Sequence, residues 1–298
     1  MDMLKSYYQS LYTCPVVKLG GYARQHGLQG EILAYLDFGG ATGSAKDGLA
    51  QSMLALAAAR GALTPGQPVV EASSGTFGAA LTIAARLSGH PVTLAVPETL
   101  APERQAYLKS LGAKLMYGSA LQGRKGLEAL ARRTAGECGG YYMDYFANDD
   151  NPEHHRRVTG PAILKATGAG IDAIVAGVGS GGTVTGVGEH VRAWHDHIRM
   201  VAVEPYESQA IGGGFLGKHG IPGLGAGFVP ENYNPYVVDI VLAVTSGDAQ
   251  RAAKEVLRTD GVPACVSAGA ALFAARQLIE KGRAKRPLCI FSGRQIYE

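Results

Sequence analysis

The sequence has few of the features that mark nucleic-acid-binding proteins. Of its 298 residues, 18% are charged, the formal net charge is +3, and aromatic residues make up 7%. The lysines and arginines are scattered without interleaved aromatic residues, so the sequence has no basic stripe of the kind that binds nucleic acid. We therefore expect no nucleic-acid partner, whereas an anionic small molecule is compatible with the weak positive charge.

The chain is also poor in the features of secreted, metal-binding and membrane proteins. Its four cysteines, Cys14, Cys138, Cys265 and Cys289, lie far apart and form no CxxC pair, which argues against a zinc site and a disulfide framework. The N-terminus lacks a basic start followed by an apolar run, and no apolar stretch approaches the ~20 residues that a membrane-spanning helix needs. These absences predict a cytoplasmic protein without a metal or a membrane partner.

Glycine, in contrast, is abundant and unevenly distributed. Short apolar runs alternate with helical patterns, as in PVVEAS before GTFGAALTIAARLSG and IDAIVAGVG before TVTGVGEHVRAW. This alternation is typical of parallel sheets that helices cover on both faces. The 42 glycines crowd where the predicted strands end, which is where such sheets bind ligands.

The length and the 46% hydrophobic content predict an α/β protein of two three-layer lobes with mainly parallel twisted sheets. No repeat, low-complexity tract or linker marks the boundary between the lobes. We place it near Tyr145, where YYMDYFANDDNP leaves a strand through polar turn residues. The prediction is an N-terminal lobe at 1–144, with room for part of 12–36 to pack on the other lobe, and a C-terminal lobe at 145–298.

The most informative single motif is AGVGSGGTVTG, in which a strand runs into a glycine-rich loop before a helix begins. The loop consists of Gly179, Ser180, Gly181, Gly182 and Thr183. Glycines let the backbone approach an anion closely, and the helix N-terminus adds N–H groups and a partial positive charge. The ordinary alternative is a tight turn. Because the spacing is neither GxxxxGK[ST] nor a first-crossover GxGxxG, the motif favours a phosphate outside a nucleotide.

A second glycine-rich segment, EASSGTFGAAL, combines hydroxyl groups with a helix start. The predicted strand ends in Ser73, Ser74, Gly75 and Thr76, and the N–H groups of the following helix together with these hydroxyls suit a carboxylate. Taken alone, Ser73 or Ser74 is an ordinary helix cap. Both interpretations stay open from the residues alone.

Lys46 lies among small turn-forming residues in DFGGATGSAKDG, and a lysine in the first turn of a helix is ordinarily a solvated charge. The order of the segments changes that interpretation, because it resembles the cysteine synthase family of pyridoxal-phosphate enzymes, which includes cystathionine β-synthase. Ser44, Lys46 and Asp47 match the family's SxKDR motif. SSGTFG at 73–78 matches its carboxylate-binding TSGNTG loop, and GSGGT at 179–183 matches its phosphate loop GTGGT.

The resemblance covers nearly the whole chain in register and implies a tryptophan synthase β-like fold with pyridoxal phosphate in the cleft between the lobes. In the family, the residue at Lys46 forms the internal aldimine and shuttles the α-proton as general base. The phosphate loop would hold the cofactor, and CIFSGRQIY would place Ser292 against its pyridine nitrogen. A neutral hydroxyl there favours β-elimination and replacement over transamination. The resemblance also places Gly225 in a loop that passes the cofactor and moves on closure.

Several departures from the family concern the substrate pocket. Where the family has an asparagine at the cofactor's phenolic oxygen, this chain has Thr76, which can donate one hydrogen bond. Phe77 replaces a carboxylate-binding threonine and cannot donate one. Tyr145 replaces a glutamine that touches the substrate carboxylate, and Gly48 replaces the arginine of SxKDR. Because each such contact is worth ~1 kcal/mol or more, these changes indicate a pocket shaped for something other than ordinary O-acetylserine sulfhydrylation.

The resemblance therefore implies β-replacement on an activated L-serine, O-acetylserine or O-phosphoserine, through an aminoacrylate intermediate. Sulfide is the default nucleophile, and the alternative is an amine, a larger thiol or another specialised nucleophile. Two other functions stay open: a lyase or dehydratase that releases a keto acid, and a regulatory pseudoenzyme that binds pyridoxal phosphate and a protein partner. The family is usually homodimeric, which we carry over as an expectation.

His154 and His155 lie in a polar helix start and point to different faces, so we assign them no metal-binding role.

Overall fold

The computed structural model describes residues 14–295, which form two compact units. The smaller unit is Lys46–Asp150, and the larger unit combines the described residues up to Ala45 with those from Asn151 onward. Within the described range, every helix is too short or too polar to cross a bilayer.

Strands and helices alternate along most of the described chain, as the sequence pattern predicts. In chain order they are β1 (Val16–Lys18), α1 (Gly20–Gln25), β2 (Leu33–Leu36), α2 (Lys46–Ala59), β3 (Val69–Glu71), α3 (Thr76–Leu87), β4 (Val92–Pro97), α4 (Pro102–Ser110), β5 (Ala113–Gly118), α5 (Gly123–Cys138), β6 (Tyr141–Tyr142), α6 (Asp150–His154), α7 (Gly160–Thr167), β7 (Ala173–Gly177), α8 (Gly182–Arg192), β8 (Arg199–Pro205), β9 (Ile240–Val244), α9 (Ser246–Asp260), α10 (Val266–Glu280) and β10 (Pro287–Phe291). A π-helical stretch, His155–Thr159, joins α6 to α7, so that Asp150–Thr167 is one helical segment.

The smaller unit is built on four parallel strands in the order β5-β4-β3-β6. Val70 in β3 lies opposite Thr93 in β4 and Tyr142 in β6. The three residues of β3 are all buried, as expected for a central strand of a sheet covered on both faces. Because parallel strands end at the same edge of a sheet, the segments that follow β3 and β6 leave side by side.

The larger unit contains six strands in the order β1-β2-β10-β7-β8-β9. Only the β1–β2 pair of this sheet is antiparallel. The strands β7, β8 and β10 therefore end at one edge, and the loops after Gly177, Pro205 and Phe291 begin there. This edge carries the predicted phosphate loop and Ser292.

The observed units differ from the predicted lobes in their bounds. The prediction places residues 1–144 in one lobe with room for part of 12–36 to pack on the other, and all the described residues 14–45 belong to the larger unit. Their strands are held there by β10, because Ala34 in β2 lies opposite Cys289. The second boundary falls after Asp150 rather than before Tyr145. Pairing between strands about 250 residues apart leaves no local signal in the sequence.

Helix α8 packs closely on the Asp150–Thr167 segment because glycines line the contact. A Cβ atom added to Gly186 would lie 2.0 Å from the carbonyl oxygen of Pro152, and one added to Gly160 would lie 2.9 Å from the Cβ of His190. A contact this short leaves no room for a side chain. The glycines of TVTGVG therefore bring the start of α8 against the neighbouring helical segment.

Replacing Gly186 with alanine should destabilise the protein by ~1–3 kcal/mol, since the new methyl group meets backbone atoms that cannot rotate away. The measurement is the midpoint of thermal unfolding. Gly247→Ala near the start of α9 is the control, because its added Cβ would come no closer than 3.7 Å to the end of the Arg251 side chain. An unchanged midpoint for Gly186→Ala would contradict the observed helix contact.

Candidate active site

The predicted phosphate loop joins the end of β7 to the start of α8 in the larger unit. Its Gly181 is the N-cap of α8 and has φ +83, a backbone conformation that favours glycine. This N-cap makes no side-chain hydrogen bond to the helix. Since first-turn N–H groups have no intrahelical acceptor, an uncapped helix start after a glycine-rich loop suits an anion such as a phosphate.

The same glycines also have a packing role. A Cβ atom added to Gly179 would lie 2.2 Å from the carbonyl oxygen of Gly223, and one added to Gly182 would lie 1.9 Å from Oδ1 of Asn151. Asn151 is fully buried, and its Nδ2 donates a hydrogen bond to Oγ of Ser180 at 3.0 Å. The motif is thus a tight turn, and this geometry is compatible with the predicted phosphate-binding role.

His155 contacts the phosphate loop, which the sequence analysis did not predict. Its side chain is 1% exposed, with Nε2 3.1 Å from Oγ1 of Thr183 and Nδ1 2.9 Å from Oγ1 of Thr159. His154 is buried as well. The expected polar helix start is therefore wrong for these two residues. Both histidines are buried, and His155 orients the Thr183 hydroxyl of the loop. Its i, i+4 spacing to Thr159 is visible in the sequence, but the contact with Thr183 depends on the helix packing.

Ser292 and the residue before Lys46 are tied together at the end of β10. Ser292 is half-buried, and its carbonyl accepts the N–H of Ala45 at 3.0 Å. Ser44 forms an isolated antiparallel bridge with Gly293 next to it. These contacts within the larger unit fix the chain that leads into Lys46.

Gly225, predicted to lie in the loop that passes the cofactor, also belongs to the larger unit. It has φ +58, and its N–H donates to the carbonyl of Val178 at 3.0 Å. Val178 immediately precedes the phosphate loop. The structure therefore brings Gly225 together with Gly179–Thr183.

In the smaller unit, Lys46 is the first residue of α2, in agreement with its predicted position in a first helical turn. Its side chain is partly buried, and that of the following Asp47 is 1% exposed. The lysine is thus not a fully solvated surface charge. This position is compatible with the catalytic role that the family resemblance implies.

The predicted carboxylate loop runs from the end of β3 into α3. Oγ of Ser73 accepts the N–H of Gly78 at 3.0 Å, so Ser73 makes the capping contact that was its ordinary alternative. The carbonyl of Ser74 accepts a hydrogen bond from Nε of Arg104 at 2.9 Å. Gly75, the N-cap, and Thr76, the first residue of α3, are exposed. The loop thus keeps exposed backbone groups at a helix start.

Phe77 and Tyr145, the two aromatic replacements, stack on each other. Their ring centroids lie 3.9 Å apart with an interplanar angle of 20°, and the residues are 4% and 9% exposed. The ring of Phe146 meets that of Tyr145 edge-on at 5.0 Å. The two positions where the family uses polar contacts to a carboxylate therefore form one apolar, aromatic element in this chain.

Glu71 connects the two segments that carry these aromatic residues, and the sequence analysis did not single it out. It is 2% exposed, and its two carboxylate oxygens accept the N–H groups of Ala72 at 2.8 Å and Tyr145 at 3.1 Å. Burial raises the pKa of this carboxyl to about 8, although the two N–H donors act in the opposite direction. The signal in the sequence that could have singled out Glu71 is a glutamate at the end of the apolar run PVVEA.

The raised pKa of Glu71 predicts a pH dependence of stability. Above its usual pKa of about 4.3 the unfolded chain loses this proton, whereas the folded chain keeps it up to pH about 8, so the free energy of unfolding should fall across this window. The upper bound is ~5 kcal/mol. In urea unfolding series, Glu71→Gln should show a smaller decrease than the wild type. Exposed Glu103→Gln should retain the full decrease, and equal slopes in all three proteins would contradict the prediction.

Comparisons with known proteins agree with the predicted family. Residues 9–293 match a family described as pyridoxal-phosphate dependent enzymes. Cysteine synthase from Staphylococcus aureus strain Mu50 is 35% identical over 264 residues, which are 88% of this chain and 84% of that protein. Cysteine synthase A from Escherichia coli K12 is 37% identical over 261 residues, which are 84% of this chain and 81% of that protein.

Solved structures give the same result for the fold. O-acetyl serine sulfhydrylase isoform 3 from Entamoeba histolytica matches 98% of this chain and 89% of that chain with a TM-score of 0.91 and 31% identity. An O-ureido-L-serine synthase matches 98% of this chain and 92% of that chain with a TM-score of 0.92 and 29% identity. The predicted α/β fold is confirmed. The chain belongs to the pyridoxal-phosphate-dependent enzyme family, is similar to the cysteine synthases within it, and is an enzyme of the β-substitution type.

Proposed function

We propose that this enzyme replaces the β-substituent of an activated L-serine, with Lys46 as the catalytic amine. One observation carries the proposal: each of the three sequence motifs lies at the start of a helix. The helices α2, α3 and α8 begin at Lys46, Thr76 and Gly182. Helix starts present N–H groups and positive partial charge, which suit the carboxylate of an amino acid and the phosphate of pyridoxal phosphate.

The residues of the larger unit fit the cofactor by their donor chemistry. Gly179–Thr183 would hold the phosphate through backbone N–H groups and the hydroxyls of Ser180 and Thr183. His155 keeps the Thr183 hydroxyl oriented. Ser292 would offer a neutral hydroxyl to the pyridine nitrogen. When bound, pyridoxal phosphate supplies an electron sink for the bond that breaks at the substrate's α-carbon.

The residues of the smaller unit would act on the amino acid. Lys46 would bind the cofactor covalently, and its Nζ would accept the α-proton as general base once the substrate amine has displaced it. Ser73, Ser74, Gly75 and Thr76 would receive the substrate carboxylate through N–H and hydroxyl groups. The hydroxyl oxygen of Ser73 accepts the N–H of Gly78, and the O–H of Ser73 can still donate to the substrate carboxylate.

The aromatic stack supports a nucleophile other than sulfide. Phe77 has no hydrogen-bonding side-chain group at a position where the family uses a polar contact, and its ring stacks on that of Tyr145. The similar O-acetyl serine sulfhydrylase is named for an O-acylated donor, which supports an activated serine here. The similar O-ureido-L-serine synthase is named for a product whose β-carbon carries oxygen rather than sulfur, which supports a nucleophile other than sulfide. We therefore propose an activated serine as donor and a specialised nucleophile: an amine, a larger thiol or another nucleophile such as an oxygen nucleophile.

The proposed role of Lys46 is tested with Lys46→Ala. It should lower the rate of leaving-group release from O-acetylserine and O-phosphoserine by at least about 10³-fold, because it removes the base that accepts the α-proton. Lys254→Ala, an exposed lysine of α9, is the matched control and should keep the wild-type rate. The assay follows acetate or phosphate with sulfide, an amine or a thiol present.

Three outcomes of this assay separate the candidate functions. Release that requires the nucleophile, with formation of a substituted amino acid, supports the proposed replacement. Keto acid formed without a second substrate indicates the lyase instead. A protein that binds pyridoxal phosphate but turns over no activated serine contradicts the proposal and favours the regulatory alternative.

The aromatic stack should control the choice of nucleophile. The double variant Phe77→Thr/Tyr145→Gln should raise the ratio of kcat/KM for sulfide to that for the preferred nucleophile by about 10-fold, within the range of a few altered pocket contacts. Phe77→Leu keeps an apolar side chain without the ring stack and serves as the control for lost packing. If the double variant and Phe77→Leu give the same ratio, the stack does not determine specificity.

A further inference from the structure

The loop Gly223–Gly227 and the phosphate loop are packed against each other within the larger unit. The N–H of Gly225 bonds to the carbonyl of Val178, and a Cβ atom added to Gly179 would lie 2.2 Å from the carbonyl oxygen of Gly223. One side of the phosphate loop is therefore in contact with the backbone of the other loop. A shift of Gly223–Gly227 would remove this support.

The loop has little of its own to hold its shape. Gly223, Gly225 and Gly227 have φ of +86, +58 and +79, so three of its five residues lack side chains and adopt left-handed conformations. Glycines allow the unfolded chain many backbone conformations, and fixing one of these conformations costs entropy. The buried Leu224, 7% exposed, anchors one point. Contacts from outside the loop must supply the rest.

His219 supplies such a contact through both ring nitrogens. Its Nε2 lies 3.1 Å from the carbonyl oxygen of Gly225, and its Nδ1 accepts the N–H of Ile221 at 3.3 Å. Because a backbone N–H can only donate, Nδ1 carries the lone pair. The proton of the neutral ring is then on Nε2 and is donated to Gly225. A single neutral tautomer therefore satisfies both contacts, and it bridges the loop to the segment that leads into it.

The segment that carries His219 is itself fixed to the start of α9. The N–H of Gly220 donates to Oγ of Ser246 at 2.7 Å, and the N–H of Ser246 donates to Oε1 of Glu207 at 2.8 Å. Glu207 also interacts electrostatically with His219. These hydrogen bonds fix the backbone next to His219, so the ring of His219 can hold Gly225 in a fixed position.

We propose that His219 is a positioning residue that fixes Gly223–Gly227 against the phosphate loop by its hydrogen bond to Gly225. The proposal rests on the proposed function for its effect on turnover, because the phosphate loop is there assigned to the cofactor and Gly225 is predicted to lie in the loop that passes the cofactor. The side chain acts through Gly225 and needs no contact with the reacting atoms.

Two substitutions separate the two contacts of the ring. In His219→Asn the side-chain oxygen can accept the Ile221 N–H, but the shorter side chain cannot reach Gly225. In His219→Gln the amide can reach the position of Nε2 and donate to Gly225. We expect His219→Asn to raise KM about 10-fold with a smaller change in kcat. His219→Gln should restore KM to within about 3-fold, and exposed His197→Asn should behave as the wild type.

Amide hydrogen exchange of the loop provides a measurement that does not depend on turnover. Exchange at Gly223–Gly227 should be at least about 10-fold faster in His219→Asn than in the wild type or His219→Gln. Unchanged exchange in His219→Asn would overturn the proposal, and so would faster exchange with a wild-type KM. If no activated serine is turned over, the proposed function fails while the exchange result still decides whether His219 fixes the loop.

Discussion

Backbone N–H groups at helix starts are the constraint on which the candidate active site depends. The first-turn N–H groups of a helix have no intrahelical acceptor, so a side chain, water or a ligand must meet them. Ser73 meets one such group in α3, whereas Gly181, the N-cap of α8, has no side chain to offer. A carboxylate and a phosphate are suitable acceptors for these positions. The preference for an amino acid and a phosphorylated cofactor therefore follows from how the chain ends its strands and begins its helices.

The glycines that shape these helix starts also join the site to the fold. Gly182 leaves space for the buried Asn151, and Gly186 one turn later leaves space for the backbone at Pro152. The same helix contact that stabilises the larger unit brings His155 to Thr183. Because the packing uses the same residues to which the proposed function assigns the phosphate, substitution at these positions would change stability together with any binding there. Such positions differ from the exposed Gly75 and Thr76, where a side chain can change with little effect on packing.

The sequence predicted the parts of the site that depend on neighbouring residues in the chain. The strand–loop–helix order at Gly179–Thr183 and the helical first turn at Lys46 are local patterns, and the structure has both. The contacts of Glu71 and His155 join segments far apart in the chain. They become visible only when parallel strands and packed helices bring those segments side by side. A buried polar residue near a strand end looks like an ordinary surface residue until its partners are known.

Glu71 shows why the departures at Phe77 and Tyr145 should be considered as one change. Its carboxylate ties Ala72 to Tyr145, so the carboxylate loop and the segment after β6 share one anchor, while the aromatic rings stack a few residues away. A change at only one of the two positions would leave the other ring without its stacking partner. Residues in contact in this way are energetically coupled, so the effects of their substitutions do not add. The two departures from the family are therefore one coupled change in packing rather than two independent ones.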